Sequence, residues 1–75
     1  MNTNDRKRIA TLRESIDGIR SELEEIRDLE QEKLDNMSEK FSETERYQTM
    51  EEQLQYVEDS LSDLESAVSN LENIE

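Results

Sequence analysis

Apolar residues recur through the second half of the chain at Met50, Leu54, Val57, Leu61, Leu64, Val68 and Leu71, with spacings that alternate four and three. That alternation keeps one edge of a helix apolar along its length, and so predicts a helix packed lengthwise against another helix. The first half supplies the partner. Ile9, Leu12, Ile16, Ile19, Leu23 and Ile26 follow the same alternation, and the apolar pattern resumes at Leu34, Met37 and Phe41. The step from Ile26 to Leu34 is one residue longer than a heptad, so the stripe is expected to shift there, beside Leu29 and Glu30. Gly18 falls on the outer side of the first helix, where it costs about 0.8–1 kcal/mol relative to Ala but marks no boundary.

The pattern predicts helix one over about residues 5–36, a turn over about 37–44 and helix two over about 45–74. Thr3 or Asn4 can cap the first helix, with Asp5 in its first turn. Asn36 is expected to end it in left-handed geometry. Ser42 with Glu45, or Thr44 alone, can cap the second helix. Met37 and Phe41 are expected to lie under the turn against Tyr47 and Met50. The absence of Pro and the single Gly agree with long unbroken helices.

Folding the chain back near Thr44 brings its apolar residues into layers. Ile16 meets Leu71, Ile19 meets Val68, Leu23 meets Leu64 and Ile26 meets Leu61, each pair equally far from the bend. With Ile9 and Leu54 assigned heptad position a, one flank of the seam holds Arg13, Arg20 and Arg27 on helix one. Glu72, Glu65 and Glu58 stand opposite them on helix two, all six at e positions. Exposed ion pairs of this kind stabilise by only about 0–1 kcal/mol, but they select the antiparallel orientation over alternatives that would align like charges. The other flank, at the g positions, carries Ser15, Glu22 and Leu29 on helix one and Ser60, Ala67 and Ile74 on helix two. These residues are smaller and more apolar. A lone two-helix hairpin buries a narrow stripe, so the all-α antiparallel coiled-coil hairpin is expected to dimerise through this flank into a four-helix bundle.

Composition narrows the function. Seventy-five residues form at most one domain, and 40% charged with 4% aromatic residues is unlike an ordinary globular core. The net charge of −12 disfavours direct nucleic-acid binding or attachment to anionic lipid and favours basic-surfaced protein partners. No run approaches the roughly 20 apolar residues of a membrane span, and no apolar stretch follows Arg6, Lys7 and Arg8, so a cytoplasmic, non-membrane protein is expected. With neither His nor Cys, Ser, Asp and Glu lack the usual base or thiolate partner, and no enzyme activity or cofactor is expected. Glu24-Glu25 and Glu51-Glu52 lack a calcium-loop pattern and read as solvated helix face, not as metal ligands. Arg6, Lys7 and Arg8 are expected to reach Glu72 and Glu75. Residues 51–75 hold eight acids and no base, so rows of carboxylates could imitate a duplex phosphate backbone; the plainer reading is that they keep a bare coiled coil soluble. Tyr56, at an outer c position, is a candidate exposed contact for a partner.

The stretch from Glu30 to Glu52, EQEKLDNMSEKFSETERYQTMEE, resembles a group of small acidic proteins of phages and bacterial mobile elements. Their turn has the form DN-M/I-PE-x-L-x-x-SERY, between a long helix and an acidic heptad helix. Asp35, Asn36, Met37, Glu39, Glu45, Arg46 and Tyr47 match that turn; Ser38, Glu43 and Thr44 stand where the group commonly has Pro, Gly and Ser. The resemblance implies a helical hairpin acting as a phage or mobile-element accessory protein, within a group that has no common activity. The expected function is that of a non-enzymatic protein that binds, and modulates or inhibits, a host or phage protein in the host cytoplasm. The alternatives are an acidic DNA mimic that blocks a nucleic-acid-binding enzyme and a structural, self-assembling coiled-coil subunit.

Overall fold

In the computed structural model the chain folds as a helical hairpin. The structure describes residues 1–37 and 44–74; Ser42 and Phe41, singled out above as cap and core residue, and Glu75 lie outside them. Helix α1 runs over Thr3–Asn36 and helix α2 over Glu45–Glu72. At about 1.5 Å per residue they measure roughly 51 and 42 Å. They lie side by side, giving a rod of 59 × 15 × 13 Å.

The ends of the helices differ in part from expectation. Asn2, not Thr3 or Asn4, caps α1: its side chain accepts from the Asp5 backbone N–H at 2.7 Å, the i to i+3 geometry that satisfies an otherwise unpaired donor. At the other end no left-handed residue is present among those described. The chain leaves α1 through Met37 in extended geometry, with the Met37 N–H donating to the Leu34 carbonyl at 3.1 Å. An extended exit suits Met37, which stays half-buried near the packed face. Thr44 caps α2, its hydroxyl accepting from the Tyr47 N–H at 3.2 Å. Helix α2 ends two residues before the expected Ile74, where the Asn73 and Ile74 N–H groups reach back three residues to Asn70 and Leu71 and tighten the last turn.

The core is a line, not a volume. Leu34, Leu54 and Leu61 are the buried residues, at 5%, 7% and 4% exposure. Helix α2 presents the stripe expected of it: Tyr47, Met50, Leu54, Val57, Leu61, Leu64, Val68 and Leu71 are all buried or half-buried, and nearly every other α2 side chain is exposed.

Helix α1 corrects the expectation. Its d residues Leu12, Ile19 and Ile26 are 58%, 52% and 49% exposed. The buried and half-buried line is instead Ile9, Arg13, Ile16, Arg20, Leu23, Arg27, Glu30, Leu34 and Met37, the a and e positions. That line alternates four and three without interruption, so the stripe does not shift between Ile26 and Leu34. The physical reason lies in Leu34 and Met37. Both belong to the a/e face, and seating Leu34 in the core turns that face toward α2 along a straight helix. The arginines can share the face because a long aliphatic stem lies over apolar neighbours while its guanidinium extends to water.

Candidate docking face

Three rows of residues run along the rod. The first is the charge flank. Arg20 donates to Asp17 from Nε at 3.0 Å and to Glu24 from Nη1 at 2.8 Å, and the same Nη1 lies 3.7 Å from Glu65 across the hairpin. These contacts raise the Arg20 pKa above its ordinary value, chiefly through the hydrogen bond and charge of Asp17, against a desolvation that lowers it, with Glu24 and Glu65 adding less. Arg27 turns to its neighbour Asp28, at 3.1 Å, and not to Glu58. Arg13 makes no ion pair among the described residues, and neither do Glu58 or Glu72. The structure therefore brings together one of the three cross-helix matches, Arg20 with Glu65.

That contact also fixes the register of the two helices. Glu72, the last residue of α2, stands seven positions from Glu65, and Arg13 stands seven positions from Arg20. The segment of α1 before Arg13 thus runs about 15 Å past the end of α2. This overhang explains a second correction. Arg6, Lys7 and Arg8 do not reach Glu72: Arg8 contacts Asp5 at 4.0 Å, and Arg6 and Lys7 have no ion pair among the described residues.

The second row is apolar and uncovered. Leu12, Ile19 and Ile26 form one line on α1, and Leu29 extends it at 59% exposure. Of the g residues, Ser15, Glu22, Leu29, Ser60 and Ile74 are exposed and Ala67 is half-buried. Ser15 and Ser60 turn their hydroxyls back to the Thr11 and Tyr56 carbonyls, at 3.2 and 2.9 Å. Tyr56 is 73% exposed. It stands nine positions from Glu65, as Leu29 does from Arg20, so the ring lies at the level of Leu29. Heptad position c adjoins g, and the two residues share a flank. The spacing of the sequence identified Leu29 and Tyr56; it missed Leu12, Ile19 and Ile26 as surface residues because they fit the expected seam.

The third row is acidic. Glu51, Glu52, Glu58, Asp59, Asp63, Glu65 and Glu72 are exposed along α2. Among the described residues they gather into no group that could hold a metal ion. Among the described residues Tyr47 is the one aromatic near the packed face. Its pKa is raised, first by partial burial, then by its hydrogen bond to Glu51 and by the charges of Glu51 and Asp35. Among the described residues no helix is long and apolar enough to cross a membrane.

Two helices packed lengthwise, with one apolar line buried and a second exposed, define a helical hairpin with an open lateral face. No family model, no curated protein and no solved structure matches the chain.

Proposed function

We propose that this protein is a non-enzymatic, protein-binding accessory factor of the phage or mobile-element kind, acting in the host cytoplasm. Its hairpins pair through the open face into a four-helix bundle, and the bundle offers its acidic outside to a host protein with a basic surface. The carrying observation is the line of Leu12, Ile19, Ile26 and Leu29, each about half exposed on a chain with few apolar residues. Aliphatic side chains of this size stabilise by roughly 1.5–3 kcal/mol each when fully buried, so a half-exposed row is a substantial unspent driving force. An exposed apolar row along one flank of a small protein is a candidate contact surface.

A second reading, mimicry of nucleic acid, is favoured by the carboxylate rows of α2. Residues 51–75 hold no base to interrupt them. Salt separates the two readings. Capture of partners at low and physiological salt, followed by identification, should retain an apolar-docked partner at both. A DNA-binding enzyme released between the two salt concentrations would favour mimicry instead. A bundle that captures nothing at either salt concentration would leave the structural, self-assembling role.

A further inference from the structure

We infer that the occupant of the open face is a second copy of the chain, running antiparallel along α1, with the basic overhang of each copy laid on the Leu29–Tyr56 level of the other. This rests on the pairing read above and adds its direction, register and ends.

The direction follows from charge. Residues 5–13 of α1 hold four bases and one acid, a net +3. Residues 28–36 hold four acids and one base, a net −3. A two-fold axis between Arg20 and Ser21 superposes these two segments. A parallel pair would stack +3 on +3 and −3 on −3. Within the hairpin the cations of the overhang go largely unanswered, since Arg6 and Lys7 have no ion pair among the described residues.

The register follows from the apolar row. Reversed about the same axis, Leu12 falls on Leu29, Ser15 on Ile26 and Ile19 on Glu22. The d positions therefore fall on the g positions of the same face, so the face pairs with itself, as an isologous two-fold interface requires, with Leu12 on Leu29 as its apolar match. Leu29 and Tyr56 share a level and a flank, so the overhanging Leu12 of one copy meets both residues of the other. The row alone, four side chains each about half exposed, falls short of the roughly 800 Å² per partner of a standard interface. The overhang, about 15 Å of helix with Leu12 and Met1 exposed, supplies further contact beyond the end of α2. The unfavourable members are Glu22, a carboxylate beside Ile19 of the other copy and close to its own counterpart, and Arg8, which the same axis sets on Lys33.

The chain has no cysteine, so single cysteines report the arrangement directly. Ser15→Cys and Ile26→Cys proteins, each checked for helix content by circular dichroism, are oxidised separately and as an equal mixture after subunit exchange. Sedimentation equilibrium of the unmodified chain is run beside them. The antiparallel pair gives a sedimenting dimer, a disulfide-linked species from the mixture and little from either protein alone. Self-linking of the Ser15→Cys protein would overturn the proposal in favour of a parallel pair. A dimer whose mixture fails to link would overturn the register while leaving the pairing intact. A mass of 8.9 kDa at every concentration would remove the pairing itself. The variant Arg6→Glu/Lys7→Glu/Arg8→Glu supplies a readout that does not depend on disulfide geometry. It should weaken dimerisation by about tenfold or more at low salt, because it turns the net charge of residues 5–13 from +3 to −3 opposite a segment that is itself −3. Unchanged dimerisation in that variant would overturn the placement of the overhang.

Discussion

The two helices carry apolar residues at the same spacing and use them differently. Helix α2 turns its a and d residues inward, and Leu54 and Leu61 are among the most buried residues of the rod. Helix α1 turns a and e inward and leaves Leu12, Ile19 and Ile26 half in water. Heptad spacing thus states that a helix has an apolar edge. Which neighbouring row joins position a in the contact is decided by where the largest anchor sits, here Leu34. The consequence is functional: one helix is satisfied within the hairpin, while the other retains a surface.

The contrast is broken most sharply by shortening one residue from each row. Leu61→Ala removes a side chain at 4% exposure and should cost about 2–5 kcal/mol, enough to unfold so slender a hairpin. Ile19→Ala, at 52% exposure, should leave the helix content of a dilute sample nearly unchanged. Its effect belongs to association, and appears as a melting temperature that rises less steeply with protein concentration than that of the unmodified chain. Equal losses from both substitutions in dilute solution would mean that Ile19 packs against α2 after all.

The two N-terminal caps extend the comparison to the ends. Thr44 caps the helix that carries two of the three buried residues, Leu54 and Leu61, while Asn2 caps an overhang that runs past the end of α2. Thr44→Ala should cost about 1 kcal/mol, within the usual range for a lost cap. Asn2→Ala breaks a shorter hydrogen bond, at 2.7 Å, yet should lower the thermal stability of a dilute sample less, because the overhang can fray without opening the core. Amide exchange should show that fraying confined to the first turns of α1.

These contrasts also show how far the sequence could be read. The hairpin, the α2 stripe and the Thr44 cap follow from spacing and local hydrogen-bonding chemistry, which act within a few residues. The face that α1 presents depends on tertiary choice. An a/d line of isoleucines and leucines looks better than an a/e line of isoleucines and arginines, because hydropathy treats arginine as wholly polar and ignores its stem. Leu34 and Met37 held the signal: they continue the a/e row without a break and require a stutter only on the a/d reading. The overhang was hidden for a related reason. Pairing residues equally far from the bend fixes levels, but leaves unstated that α1 continues for about 15 Å after α2 has ended.

Gly18 offers a gain where the other changes give losses. It lies in the exposed body of α1, and a Cβ built there meets nothing within 4 Å. Gly18→Ala should raise hairpin stability by about 0.8–1 kcal/mol, the helix propensity difference with no steric term set against it. A denaturant titration with an unchanged slope would confirm that stability alone has moved.

The smallest effect is also the most local, and it tests the α2 side of the comparison without removing any apolar surface. Tyr47 is half-buried in the first turns of α2, with the Glu51 carboxylate one turn further on and the charge of Asp35 nearby. Partial burial and two carboxylates all oppose the phenolate, so the folded-state pKa lies above the ordinary tyrosine value of about 10. A raised pKa means that the folded state holds this proton more tightly than the unfolded chain does. Its contribution is therefore complete below the unfolded value and is lost as the pH rises through the folded one. Tyr47→Phe removes the titrating group while keeping the ring. Between pH 9 and 11, a range of about one unit either side of the ordinary value, its melting temperature should fall less than that of the unmodified chain. If Tyr47→Phe leaves the alkaline slope unchanged, then the hairpin does not hold the Tyr47 phenol away from water and near its carboxylates.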